Sequence, residues 1–149
     1  MNDQDHYRAL EAAYASGPIN DFYRPKLQVG EGTAEISMEV DSRMFHAAHS
    51  VHGSVYFKML DDAAWFAAAS KVKDVFILTS QFHIHLLRPV TQGLIVAKGK
   101  LLHQSLRMFV AEAVLYDQRQ REIARGSGSF MRSAVRLSEK VGYRFPERG

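Results

Sequence analysis

One decapeptide carries most of the chemistry that this chain can offer: His52-Gly53-Ser54-Val55-Tyr56-Phe57-Lys58-Met59-Leu60-Asp61. A glycine at the start of a helix presents bare backbone N–H groups, and the helix dipole adds positive potential there, which suits an oxyanion. Eight residues later, Asp61 stands in a largely apolar helical segment, where a carboxylate can act as a general base. On the residues alone, Gly53 as a plain turn and Asp61 as a solvated helix residue stay equally open.

Geometry adds a constraint. At a rise of ~1.5 Å per residue, Gly53 and Asp61 stand roughly 12 Å apart along one helix, too far to meet at a single carbonyl. Two copies with antiparallel helices would set Gly53 of one against Asp61 of the other. A shared site of this kind predicts a two-fold dimer with two active sites at its interface.

The neighbouring polar residues read differently. Asp62 points roughly 100° away from Asp61 on a helix, so the two do not form a paired-carboxylate site. His46, His49 and His52 recur every three residues, but in an irregular stretch with no carboxylate at a metal-ligand spacing. His83 and His85 share a strand face with Gln81, opposite Phe82, Ile84 and Leu86. These histidines are read as structural or interface residues, and no metal is expected. His52 can orient the Gly53 loop through its ring. Trp65 and Phe66 are read as core or pocket wall.

The elements that must position these residues follow from hydrophobic periodicity. Asp3 to Ser16 has Tyr7, Leu10, Ala13 and Tyr14 at helical spacing and is stopped by Gly17-Pro18. A polar linker containing Pro25 is expected next. Thr33 to Val40 alternates as a half-buried strand, and Phe45 to Gly53 lacks a regular pattern. Ser54 to Ser70 is the one long helix, with so many alanines in its second half that other backbone can approach closely, as a sheet curved around it would require. Four strands are then expected: Val75 to Arg88, Leu94 to His103, Leu106 to Asp117 and Glu122 to Met131. Gly126 and Gly128 mark a bend or a close contact in the last of these. Strand, long helix, then four antiparallel strands is an α+β order with the helix on one face of the sheet. From Ser133 onwards the chain is polar and is expected to lie at the periphery.

The totals narrow the function classes. The 149 residues suit one domain, and 46% apolar with 23% charged residues is ordinary globular composition. The absence of cysteine excludes disulfides, thiolate metal sites and a cysteine nucleophile. The net charge is +3, from 19 basic and 16 acidic residues mixed along the chain. The arginines of the last third are spaced out, without the basic stripe and aromatic partners of a nucleic-acid binder, so no nucleic-acid partner is expected. The longest apolar run, Ala63 to Ala69, is too short to span a bilayer, and the polar, acidic start is unlike a signal peptide. A cytoplasmic location is the expectation.

The string His-Gly-(x)7-Asp followed by a long helix resembles the PaaI-like hotdog-fold thioesterases. So does Phe82-His83-Ile84-His85-Leu86-Leu87-Arg88-Pro89, similar to that group's central strand with its aliphatic-Arg-Pro ending. The resemblance covers about residues 30 to 132. It implies a hotdog fold, a long central helix wrapped by a curved antiparallel sheet of about five to six strands. It further implies hydrolysis of acyl-CoA thioesters without a cofactor, in a dimer or dimer of dimers.

Residue by residue, Asp61 matches the catalytic carboxylate, either general base or nucleophile. The Gly53 N–H matches the group that polarises the thioester carbonyl. Thr79 matches a hydroxyl that holds the attacking water, and His46 stands where the family usually has Asn. Ser54 departs from a frequent second glycine and, with His52, is placed on the substrate side. Because coenzyme A carries phosphates, Arg107 and Arg88 are candidates for the pocket mouth, along with Ser105. A hotdog dehydratase or hydratase is the first alternative, although the His-Phe-Pro loop and the hydratase stretch are both missing. A non-catalytic acyl-CoA-binding module is the second, and it leaves Asp61 unexplained.

Overall fold

The structure, a computed structural model, describes residues 1–147. Helix α1 spans Asp3–Ser16, opened by a capping box in which Asn2 and Asp5 bond each other's backbone. The expected linker is in fact structured. It holds a short helix, α2 (Asn20–Tyr23), and a first strand, β1 (Lys26–Gly30), paired with β2 (Thr33–Glu39). A 3-10 turn at Ser42–Met44 leads through the irregular stretch into α3 (Gly53–Ala69). Strands β3 (Val75–Leu86), β4 (Leu94–Gln104), β5 (Met108–Tyr116) and β6 (Glu122–Arg136) follow.

The six strands form one antiparallel sheet in the order β1-β2-β4-β5-β6-β3. Helix α3 lies against it, chiefly on β4, β5 and β2. Almost all of its second half is buried, and the alanines are what permit that depth. At Gly99 on β4 a Cβ would stand only 2.1 Å from the Ala63 carbonyl oxygen, so helix backbone and strand backbone are in direct contact. Gly128 makes another close approach, where a Cβ would stand 2.2 Å from the Gln81 carbonyl oxygen and 2.4 Å from the Phe82 ring. Large side chains fill the rest of the interface. Ile36, Met59, Leu60, Ile95 and Leu115 are fully buried, and each such side chain contributes about 1.5–3 kcal/mol.

Two further features bear on the site. The β3–β6 ladder slips between Thr79 and Gln81, leaving Ser80 without a Cα partner. Such a bulge shifts the alternation of faces by one residue. It lets Thr79 face α3 alongside Phe82, three positions on, while Gln81, His83 and His85 point outward and are exposed. The C-terminal segment also corrects the expectation of a peripheral tail. β6 continues past Met131 to Arg136, and Tyr143 is buried against His6 of α1. His6 is itself fully buried, its Nε2 2.9 Å from the Ala69 carbonyl at the end of α3 and its Nδ1 2.6 Å from the Tyr143 hydroxyl. These contacts clamp α1 over the helix that carries Asp61.

Candidate active site

Asp61 sits mid-way along α3 on the side that meets β3. Thr79 Oγ1 donates to Asp61 Oδ1 at 2.9 Å. The two line a cavity of about 340 Å³ whose walls are mostly apolar, with Trp65 and Phe66 from α3, Phe76 and Leu78 from β3, and Leu137 beyond β6. Trp65 is held by its indole N–H, which donates to the Ile77 carbonyl at 3.0 Å. Helix α1 closes the cavity with Leu10 and Tyr14. Burial in this apolar wall pushes the Asp61 carboxyl up to about 6; the Thr79 hydrogen bond and the Lys58 charge pull it down, and the Asp62 charge pushes it further up. A carboxylate in that range is ionised at neutral pH yet basic enough to accept a proton from water.

Asp62 has other partners. Its Oδ2 accepts from Lys58 Nζ and from the Tyr14 hydroxyl, each at 2.7 Å. Asp61 and Asp62 thus do not share a proton. They do line the same cavity, so Asp62 is no solvated surface residue.

Gly53 lies at the N-terminal end of the same helix. The structure starts α3 at Gly53, one residue earlier than expected, with His52 as its cap. The His52 Nδ1 accepts from Ser54 N at 3.0 Å and lies 2.8 Å from Ser54 Oγ. His52 and Ser54 thereby brace the turn, and the Gly53 N–H has no hydrogen-bond partner among the described residues. A free N–H at a helix start is an anion-seeking group. His46 lies in the same cleft as Gly53, with Tyr56, Leu86 and Arg88. Its Nδ1 accepts from Ala48 N and its Nε2 lies 3.0 Å from Ser50 Oγ, so the ring braces the loop that leads to Gly53.

Within one chain, then, Asp61 and Thr79 share one cleft, and Gly53 and His46 share another. Ser105 and Arg107 enter neither. They form the β4–β5 turn, where Ser105 bonds both backbone groups of Met108 and the Arg107 carbonyl accepts from Arg132 N. Among the described residues no three of His, Cys, Asp or Glu gather in a way that could hold a metal ion. No helix among them is long and apolar enough to cross a membrane. Lys58 and Tyr14 were not singled out from sequence. The Lys58–Asp62 spacing of four is the signal that was there to be read.

Residues 48–124, more than half of the chain and including both Gly53 and Asp61, match the family model of the thioesterase superfamily. The chain belongs to the thioesterase superfamily. Its fold is the hotdog fold of PaaI from the phenylacetic acid degradation operon of E. coli, with a TM-score of 0.83 at 22% identity over 91% of this chain and 99% of that one. It also resembles a conserved protein of Pseudomonas aeruginosa (TM-score 0.74, 21% identity, 78% of this chain and 94% of that one). A thioesterase of Haemophilus influenzae is similar as well (TM-score 0.72, 15% identity, 80% and 85%). Identities this low establish a common fold. No curated protein matches the sequence at a significant level.

Proposed function

We propose that this protein hydrolyses acyl-CoA thioesters, with Asp61 as general base and the oxyanion held by the Gly53 N–H of a second copy. The observation that carries this reading is the pairing of a half-buried carboxylate, fixed by Thr79 in an apolar cavity, with an unpartnered helix-start N–H on the same helix. The ionised Asp61 takes a proton from water as the oxygen attacks the thioester carbon. The carbonyl oxygen becomes an oxyanion and is stabilised by the N–H. The C–S bond then breaks, and the Asp61 carboxyl returns its proton to the departing CoA thiolate. The products are a free acid and CoA, with no cofactor consumed.

The sheet supplies a way to bring the two halves together. β3 is an edge strand, paired only with β6, and its 12 residues leave a row of free backbone groups. Thr79, the fifth residue of β3, stands beside Asp61, and Leu86, its last, has its Cδ1 3.1 Å from where a Gly53 Cβ would be. Antiparallel pairing of two β3 edges turns the Asp61 end of one copy onto the Gly53 end of the other. In this reading Arg88, which lines the Gly53 cleft, offers charge to the CoA phosphates, while Arg107 and Ser105 lie outside both clefts in the β4–β5 turn.

Thiol release from a panel of short, medium, long and aryl acyl-CoAs tests the activity. Turnover on at least one member, abolished in Asp61→Asn, is the expected result. Saturable binding without thiol release across the whole panel would overturn it in favour of a binding module.

A further inference from the structure

The acyl cavity contains three polar groups that the hydrolytic scheme does not use. Lys58, one turn before Asp61 on α3, has its side chain only 13% exposed, and Asp62 is 21% exposed. Nothing about packing requires a charged pair in a cavity that is otherwise mostly apolar, and burying one is costly unless it is fully partnered. Here it is. Asp62 Oδ2 receives both Lys58 Nζ and the Tyr14 hydroxyl. The Lys58 ammonium lies 5.2 Å from the ring centroids of both Tyr14, on α1, and Tyr23, at the end of α2. Burial and the neighbouring carboxylate hold the Tyr14 phenol far above its ordinary range, so it stays a donor at any working pH. The cluster therefore binds three elements together immediately beside Asp61.

We propose that Lys58, Asp62 and Tyr14 act as positioning residues for Asp61: Asp62 sets a negative charge next to the base, Lys58 and Tyr14 offset it, and the balance fixes the acid limit of the reaction. This inference rests on the reading of Asp61 as the base. The groups facing Asp61 and Asp62 are few. Lys58 and the two aspartates come from α3, Tyr14 from α1, Tyr23 from α2 over Lys58, and Thr79 from β3 as a donor that does not titrate. Asp62 disfavours a second negative charge on Asp61, and Lys58 favours it. Removing each in turn should therefore move Asp61 in opposite directions, which loss of packing alone does not do.

The test uses the full-length protein and its Lys58→Met, Asp62→Asn and doubly substituted variants. The Asp61 carboxyl is followed by carbon NMR titration, with Asp61→Asn to assign its signal, and kcat/KM is followed against pH on the best acyl-CoA of the panel. Lys58→Met should raise the Asp61 midpoint by about one pH unit and Asp62→Asn should lower it by a similar amount, as expected for unit charges a few ångströms away in a half-buried site. The double variant should return close to the parent. Midpoints that stay in place, or move in the same direction in both single variants, overturn the inference. Midpoints that move as expected while the acid limb of kcat/KM stays put overturn instead the assignment of Asp61 as base.

Discussion

The two clefts on α3 are built by opposite strategies. The Asp61 cleft is a mostly apolar cavity of about 340 Å³, walled by Trp65, Phe66, Phe76 and Leu78 and flanked by α1. The Gly53 cleft, of about 290 Å³, has a more mixed lining and is bordered by the exposed Leu86, Leu87 and Arg88. In the proposed mechanism the difference matches what each group would do. A carboxylate becomes a useful base only when burial raises its proton affinity toward neutrality. A backbone N–H needs no such tuning; it needs to be left unpaired, and His52 achieves this by capping Ser54 rather than Gly53. One chain can therefore build each half in the environment that suits it, provided a second copy brings the halves together.

The largest expected effect lies in the Asp61 cleft. Asp61→Asn should retain the fold yet lose about 10²–10⁴-fold in kcat, the usual worth of a positioned acid–base group. Parental activity in that variant would mean that the cavity only binds. Thr79→Val sharpens the same half. It keeps the β-branched shape but removes the hydroxyl that stabilises ionised Asp61. The loss of a hydrogen bond to a charged group should shift the acid limb of kcat/KM upward by about one pH unit, an activity loss that approaches tenfold well below pH 6, is about fivefold at pH 6 and fades toward pH 9. A loss of equal size at every pH would place Thr79 on the water instead of on Asp61.

A smaller effect concerns stability. Asp61 has its folded proton affinity raised, to about 6 from an ordinary 3.8. Its stabilising contribution is therefore full below about pH 4 and is lost as the pH rises through 6. At pH 8 the ionised group is a cost that asparagine lacks. Asp61→Asn should be more stable than the parent by about 1 kcal/mol at pH 8, allowing for screening at a half-buried group. Thermal melts at pH 4 and pH 8 should show the advantage only at the higher value. An advantage of equal size at both would show that it arises from packing.

The two halves were unequally legible in the sequence. The choice of Asp61 over the adjacent Asp62 rested on the register of the family motif, whereas α3 and its run of small residues could be read because helical periodicity is a local signal. β1 could not, since Lys26–Gly30 is a short edge strand whose only apolar residues are Leu27 and Val29. The orientation of Thr79 was equally hidden. Strict alternation puts it on the outer face with Gln81 and His83, and only the slip at Ser80 turns it toward Asp61. The Tyr14 bond to Asp62 and the burial of Tyr143 depend on where α1 docks, a long-range outcome that no local pattern encodes.

The central claim is that each working site takes its base from one copy and its oxyanion donor from another. Two inactive variants test it together: Asp61→Asn, and Gly53→Pro, which removes the N–H at a first helical position where proline is tolerated. Each is first shown to be folded, and subunit exchange between them is confirmed. A mixed dimer then holds one site with both defects and one with neither. With random exchange half of the dimers are mixed, so activity should return to about a quarter of the parental level. No recovery despite demonstrated exchange would mean that Gly53 and Asp61 act within one chain, and the shared site would be wrong.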